Sequence, residues 1–217
     1  MKNVAHHTKQ LKTVGGKLAK EFAAAERPKL DPLRAMVVGG LSCDAPDAAV
    51  QKALAVIDAE FVDVNELRVA TELELQQLLG TDFPDIDSKS RLLKEMLNAI
   101  FEKEQTLSLD RLADIKKTDA RQFLKDLPGM TPYVEAYVML HAFEAGVVPV
   151  DETTLAFLQD KDMVEAESDT ADAQAFLERQ LKVDEAWPFF AALRAAAFTG
   201  GYKPKKISKK TTKAKKK

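Results

Sequence analysis

Three stretches of this 217-residue chain carry groups that could do chemistry. The first is the run Leu127, Pro128, Gly129, Met130 and Thr131, set between two helical patterns. A glycine in such a turn lets backbone N–H groups come close to a phosphate oxygen. The second is Asp151, which follows Val150 and stands 22 residues beyond Gly129 at the start of another helical pattern. A carboxylate there can stabilise positive charge on a reacting carbon or orient a nucleophile, and it can equally be the cap of a helix beginning at Glu152. Glu152 adds a second carboxylate, which either raises the proton affinity of Asp151 or faces solvent. The third stretch is residues 203–217, with 9 lysines, among them Lys203, Lys205 and Lys206, and no acid. Such a run either solubilises the chain or attracts phosphates without reading sequence, and the concentration of positive potential favours a polyanionic partner.

Other reactive residue types are scarce. Cys43 is the only cysteine, which excludes an internal disulfide and any cluster held by four protein thiolates. His6, His7 and His141 have no spacing expected of a structural zinc site, so no metal is expected. His141 lies on an apolar helical face and reads as structural, Cys43 as a small buried residue. Trp187, Phe189 and Phe190 fall in an apolar helix, where they pack a core rather than stack on bases.

The elements that must position these residues are helices. Thr8 to Phe22 repeats Leu11, Val14, Leu18 and Phe22 at helical intervals, and LRAMVVGGLS reads as a short internal helix after Pro32. Pro46 marks the start of a helix bearing Val50, Leu54 and Ile57. Further helices are expected at 71–79, closed by Gly80, and at 89–104, capped from Asp85, Asp87 or Ser88. DRLADI, a helix capped by Thr118 or Asp119 and ending near Leu127, PYVEAYVMLHAF ending at Gly146, and helices at 170–182 and 184–198 complete the series. No sustained period-2 alternation is present, so the fold class is all-α. Apolar residues make up 46% of the chain, enough for a real core, and no run approaches the roughly 18 residues of a membrane span. The start lacks a secretory signal, so a cytoplasmic protein without membrane partners is expected. Charge is segregated: net +5 over residues 1–30, net -16 over 31–202 and net +9 over 203–217.

The turn and the aspartate together resemble the endonuclease III-like helix-hairpin-helix (HhH-GPD) DNA glycosylases, whose pattern is Leu-Pro-Gly-any-Gly followed by an Asp after a short apolar run. Leu41-Ser42-Cys43-Asp44-Ala45-Pro46-Asp47 resembles an early Leu-Ser-any-Gln-any-Thr-Asp segment of that family. Residues 65–91 resemble its helices before the hairpin. The resemblance covers roughly residues 33–200. It implies two interlocked helical lobes with a cleft between them and a hairpin anchoring double-stranded DNA through its backbone. It further implies an extruded base and a carboxylate, at Asp151, supporting glycosidic cleavage.

Several positions depart from that pattern. Thr131 replaces the second hairpin glycine, and a β-branched residue resists positive backbone torsions. Tyr133 stands where bifunctional members carry a Schiff-base lysine, so catalysis would use water alone. Asp44 stands where the family inserts a glutamine into the duplex, and Glu152-Thr153 replaces Thr-His. The iron-sulfur cysteines are absent, so no cofactor is expected. The organisation expected is a basic N-terminal helical extension (1–30), an HhH-GPD-like helical domain (31–202) and a lysine-rich, disordered tail (203–217). The chain reads as a monomeric, monofunctional base-excision glycosylase, associated with the nucleoid if bacterial. The alternative is a non-catalytic relative that binds DNA or protein. Asp151 and Tyr133 are the candidate catalytic pair, with Ser42, Asp44, the hairpin and the tail lysines as candidate DNA contacts.

Overall fold

The computed structural model describes residues 3–199, in which there are eleven α-helices, one 3-10 turn and no strand. Lys203, Lys205 and Lys206 lie outside the described residues, as does the rest of the 203–217 segment.

The central element is α2 (Pro32–Ser42), which starts where Asp31 accepts a hydrogen bond from the Arg34 N–H and Pro32 supplies a preset φ. Every residue of α2 except Arg34 is buried. Two glycines make that possible. A Cβ on Gly39 would lie 3.1 Å from Tyr137 Cβ, and one on Gly40 would lie 3.0 Å from Leu93 Cδ2. The helix therefore lets α8 (Pro132–His141) and α6 (Ile86–Glu104) close on it from two sides. Helix α3 (Asp47–Glu60) also packs on α2, α4 (Val64–Val69) and α5 (Glu72–Leu79) pack on α6, and α7 (Lys117–Lys125), reached from α6 through the 3-10 turn Asp110–Asp114, packs on α8. These form one lobe.

The second lobe is built from both ends of the described chain. Helix α1 (Val4–Glu21) lies against α11 (Val183–Phe198), and α11 and α10 (Thr170–Gln180) each touch α9 (Glu152–Asp160). The basic N-terminal segment is thus packed on the body through Leu11 and Leu18, with Gly15 close to Phe189. Helix α8 joins the lobes. All its residues after Pro132 are buried. Glu135 on it pairs with Arg121 of α7 at 2.7 Å, and Arg121 also reaches Glu178 of α10 at 2.8 Å. Its aromatic face stacks Tyr137 on His141 at 4.1 Å and sets both against Phe190 of α11.

Gly80 closes α5 as expected, and three other boundaries differ from the sequence expectation. Asp85 precedes α6 in a left-handed conformation (φ 52) without capping it through its side chain. Helix α7 begins at Lys117, so Thr118 and Asp119 fall inside its first turn. Helix α8 stops at His141, and the chain turns at Glu144 (φ 51) rather than at Gly146.

Candidate functional site

The turn between α7 and α8 is a tight hairpin. Leu127 is buried beneath it, Pro128 is exposed, and the Met130 N–H donates to the Leu127 carbonyl at 3.1 Å. Gly129 takes φ 77, where a side chain would be strained, and a Cβ there would lie 2.9 Å from Glu95 Cγ. Thr131 does not share that strain. It sits at φ -95 as the N-cap of α8, its hydroxyl accepting from the Val134 N–H at 3.2 Å. The conflict expected between a branched side chain and a positive torsion is absent, because only Gly129 needs the positive torsion.

Four of the candidate residues, Ser42, Asp44, Tyr133 and Asp151, come together between the lobes. Asp151 is the N-cap of α9 in a reciprocal capping arrangement with Thr154. Its Oδ1 accepts from the Thr154 N–H at 2.8 Å and from the Thr154 hydroxyl at 2.6 Å. Its Oδ2 accepts from the Asp44 N–H at 2.9 Å and lies 3.5 Å from Arg194 Nη1. The Asp151 side chain has no exposed surface. Asp44, in a left-handed conformation (φ 49), turns its own carboxylate onto the same helix end. There Oδ1 accepts from the Thr153 N–H and hydroxyl, both at 2.8 Å. Two carboxylates thereby satisfy two of the unpaired N–H groups at the positive end of α9.

Arg194 of α11 closes the arrangement. It is 3% exposed, so its charge must be matched within the protein. Nε and Nη2 donate to Asp47 Oδ1 at 2.9 and 2.7 Å, and Nη2 donates to the Ala45 carbonyl at 2.6 Å. Nη1 donates to the Ser42 carbonyl at 3.1 Å and to the Tyr133 hydroxyl at 2.9 Å. The Ser42 and Tyr133 hydroxyls lie 3.3 Å apart. The guanidinium is thus the hub joining α11 to the loop after α2 and to the start of α8.

The electrostatics follow from burial. Desolvation, then the neighbouring Asp44 charge, raise the proton affinity of Asp151, and Arg194 and the Thr154 hydrogen bonds oppose them. The acid that raises Asp151 is therefore Asp44, while Glu152 is exposed. Burial holds the Tyr133 phenol well above its ordinary value, so it stays neutral. Burial, Asp44 and Asp151 push the Cys43 thiol up to about 12, which leaves no thiolate nucleophile at neutral pH. Burial is also the largest influence on Arg194 and disfavours its charge, but the carboxylates of Asp47 and Asp151 and the hydrogen bond to Asp47 hold it protonated.

Sequence reasoning missed Arg194, Asp47, Thr153 and Thr154. A signal for Arg194 was present: a single arginine inside the otherwise apolar run Phe189–Phe198 must either be exposed or find buried partners.

Two interlocked helical lobes, a hairpin with Leu-Pro-Gly at its turn, and an aspartate capping the helix that follows define the helix-hairpin-helix glycosylase fold, and this chain has that fold. Its backbone superposes on endonuclease III trapped in a covalent intermediate with DNA, with a TM-score of 0.67 and 16% identity over 87% of this chain and 84% of that one. It superposes likewise on an 8-oxoguanine glycosylase/lyase of Clostridium acetobutylicum in complex with double-stranded DNA, with a TM-score of 0.66 and 15% identity over 90% of this chain and 70% of that one. With the H. pylori 3-methyladenine DNA glycosylase bound to 1,N6-ethenoadenine, the TM-score is 0.63 and the identity 16%, over 88% of this chain and 96% of that one. No family model and no curated protein matches the sequence. What is shared at this identity is the fold.

Proposed function

We propose that this protein is a DNA-binding module built on the glycosylase fold whose catalytic cleft is sealed, so that it holds duplex DNA without releasing a base. One observation carries the reading: both oxygens of Asp151 are engaged within the protein, and Arg194 supplies its counter-charge from inside the fold. A carboxylate acts on a sugar cation most strongly at close range, and it orients water through an accessible oxygen. Neither is offered by a side chain with zero exposure. Asp44 strengthens the reading, since its side chain is spent on Thr153 rather than turned outward.

DNA binding rests on the hairpin, on the glycosylase neighbours that are DNA complexes, and on the 9 lysines of residues 203–217. The body between residues 31 and 202 carries net -16 and repels a polyanion, so the lysine segment supplies most of the attraction. The test is anisotropy titration of undamaged, mismatched and lesion-bearing duplexes of one length. Equal affinity for all three supports the module. A preference for one lesion favours the second reading, a monofunctional glycosylase in which Asp151 supports hydrolysis. That reading draws on the position of Asp151 after the hairpin and on neighbours that are themselves glycosylases.

A further inference from the structure

A second group of polar side chains gathers at the other end of α9 from Asp151, where the connection after α9 meets the first turn of α1. His6 Nε2 lies 2.5 Å from Asp162 Oδ2. His7 Nδ1 lies 3.8 Å from Asp162 Oδ1 and 3.0 Å from the Asp162 carbonyl oxygen. His7 is buried, whereas His6 and Asp162 are exposed. The connection turns sharply here, with Asp162 at φ 57, and that turn aims its carboxylate at both rings. Lys161, the adjacent cation, is held by Asp160 at 3.1 Å.

We propose that His6, His7 and Asp162 bind a divalent transition-metal ion, with Zn2+ the best-matched chemistry. The three ligand atoms lie within 4.8 Å of one another. Ligands bonded tetrahedrally at about 2.0–2.1 Å are separated by roughly 3.3 Å, so the His6–Asp162 contact must open and the His7–Asp162 contact close by fractions of an ångström to an ångström. Two imidazoles and one carboxylate suit a borderline cation and leave a fourth position for water. Binding takes the Nδ1 lone pair of His7, so that ring carries its proton on Nε2 and gives up its contact with the Asp162 carbonyl. The ion would tie α1 to the α9–α10 connection. Spacing in the sequence could not show the site, because its third ligand comes from 155 residues beyond His7.

The test uses the full chain, titrated with Zn2+ in competition with a chromophoric chelator, alongside His6→Gln, Asp162→Asn and Cys43→Ser. The expected result is one ion per chain, with affinity lowered at least about tenfold by His6→Gln and by Asp162→Asn and left unchanged by Cys43→Ser. Co2+ in the same site should give visible d–d absorption that His6→Gln abolishes. His6 is exposed, so its replacement leaves the fold intact. Failure of the native chain to compete with the chelator, or equal binding by native, His6→Gln and Asp162→Asn proteins, overturns the proposal.

Discussion

Arg194 and Asp151 meet at 3.5 Å between the two lobes, each almost wholly withdrawn from water. The pair joins α11 to the N-terminus of α9. Removing Arg194 leaves a buried carboxylate without its cation. Arg194→Met should therefore cost about 3–5 kcal/mol in urea unfolding. Asp151→Asn keeps a good N-cap and leaves Arg194 paired with Asp47, so it should cost about 1–3 kcal/mol. The double variant should lose less than the sum, with a coupling of about 1–3 kcal/mol. Strict additivity would mean that the two groups do not interact.

A pH effect should come from His141. Burial depresses its pKa from 6.5 to about 4, outweighing a contact with the Pro28 backbone that favours the proton, and its ring is stacked on Tyr137. The unfolded chain takes up this proton near pH 6.5 and the folded chain does not until about pH 4, so stability present above 6.5 is lost as pH falls through that window. The loss should reach about 2 kcal/mol by pH 5. Comparing unfolding at pH 7.5 and pH 5 for native and His141→Phe proteins isolates the effect, since the variant should lose less by that amount.

The hairpin glycine should resist substitution. Gly129→Ala forces an L-residue to φ 77 and brings its Cβ within 3.0 Å of Glu95 Cβ, which is fixed to α6. A destabilisation of more than about 1 kcal/mol is expected, with the hairpin displaced and duplex affinity lowered. An unchanged unfolding midpoint would place the turn in another conformation.

Electrostatic attraction should belong to residues 203–217. A chain ending before Lys203 should lose most of its affinity for duplex DNA, and the slope of log affinity against log salt should shrink by as much as about 8, the value for nine released contacts. Retention of both affinity and slope would locate the binding charge on the helical body.

Much of this architecture was legible in the sequence, because helical periodicity and turn chemistry are local. The apolar run of α2, the hairpin at Gly129 and the cap at Asp151 can each be read from a few neighbouring residues. What escaped were relationships between distant segments. Nothing near Asp151 indicates that an arginine 43 residues later will pair with it, or that Asp44 will turn back onto Thr153. The missed caps before α6 and α7 have a similar cause. Packing sets those helix starts, so Asp85 takes a left-handed bend and Lys116 precedes α7 although better capping residues stand nearby.

A sealed Asp151 should release no base. This is tested most directly by single-turnover base release from duplexes carrying uracil, oxidised pyrimidines, alkylated purines and mismatches. Native and Asp151→Asn proteins would be used at concentrations that saturate binding, with abasic sites revealed by alkali. No release from any duplex is expected with either protein. Release by the native chain that is lost in Asp151→Asn would contradict this and establish a monofunctional glycosylase.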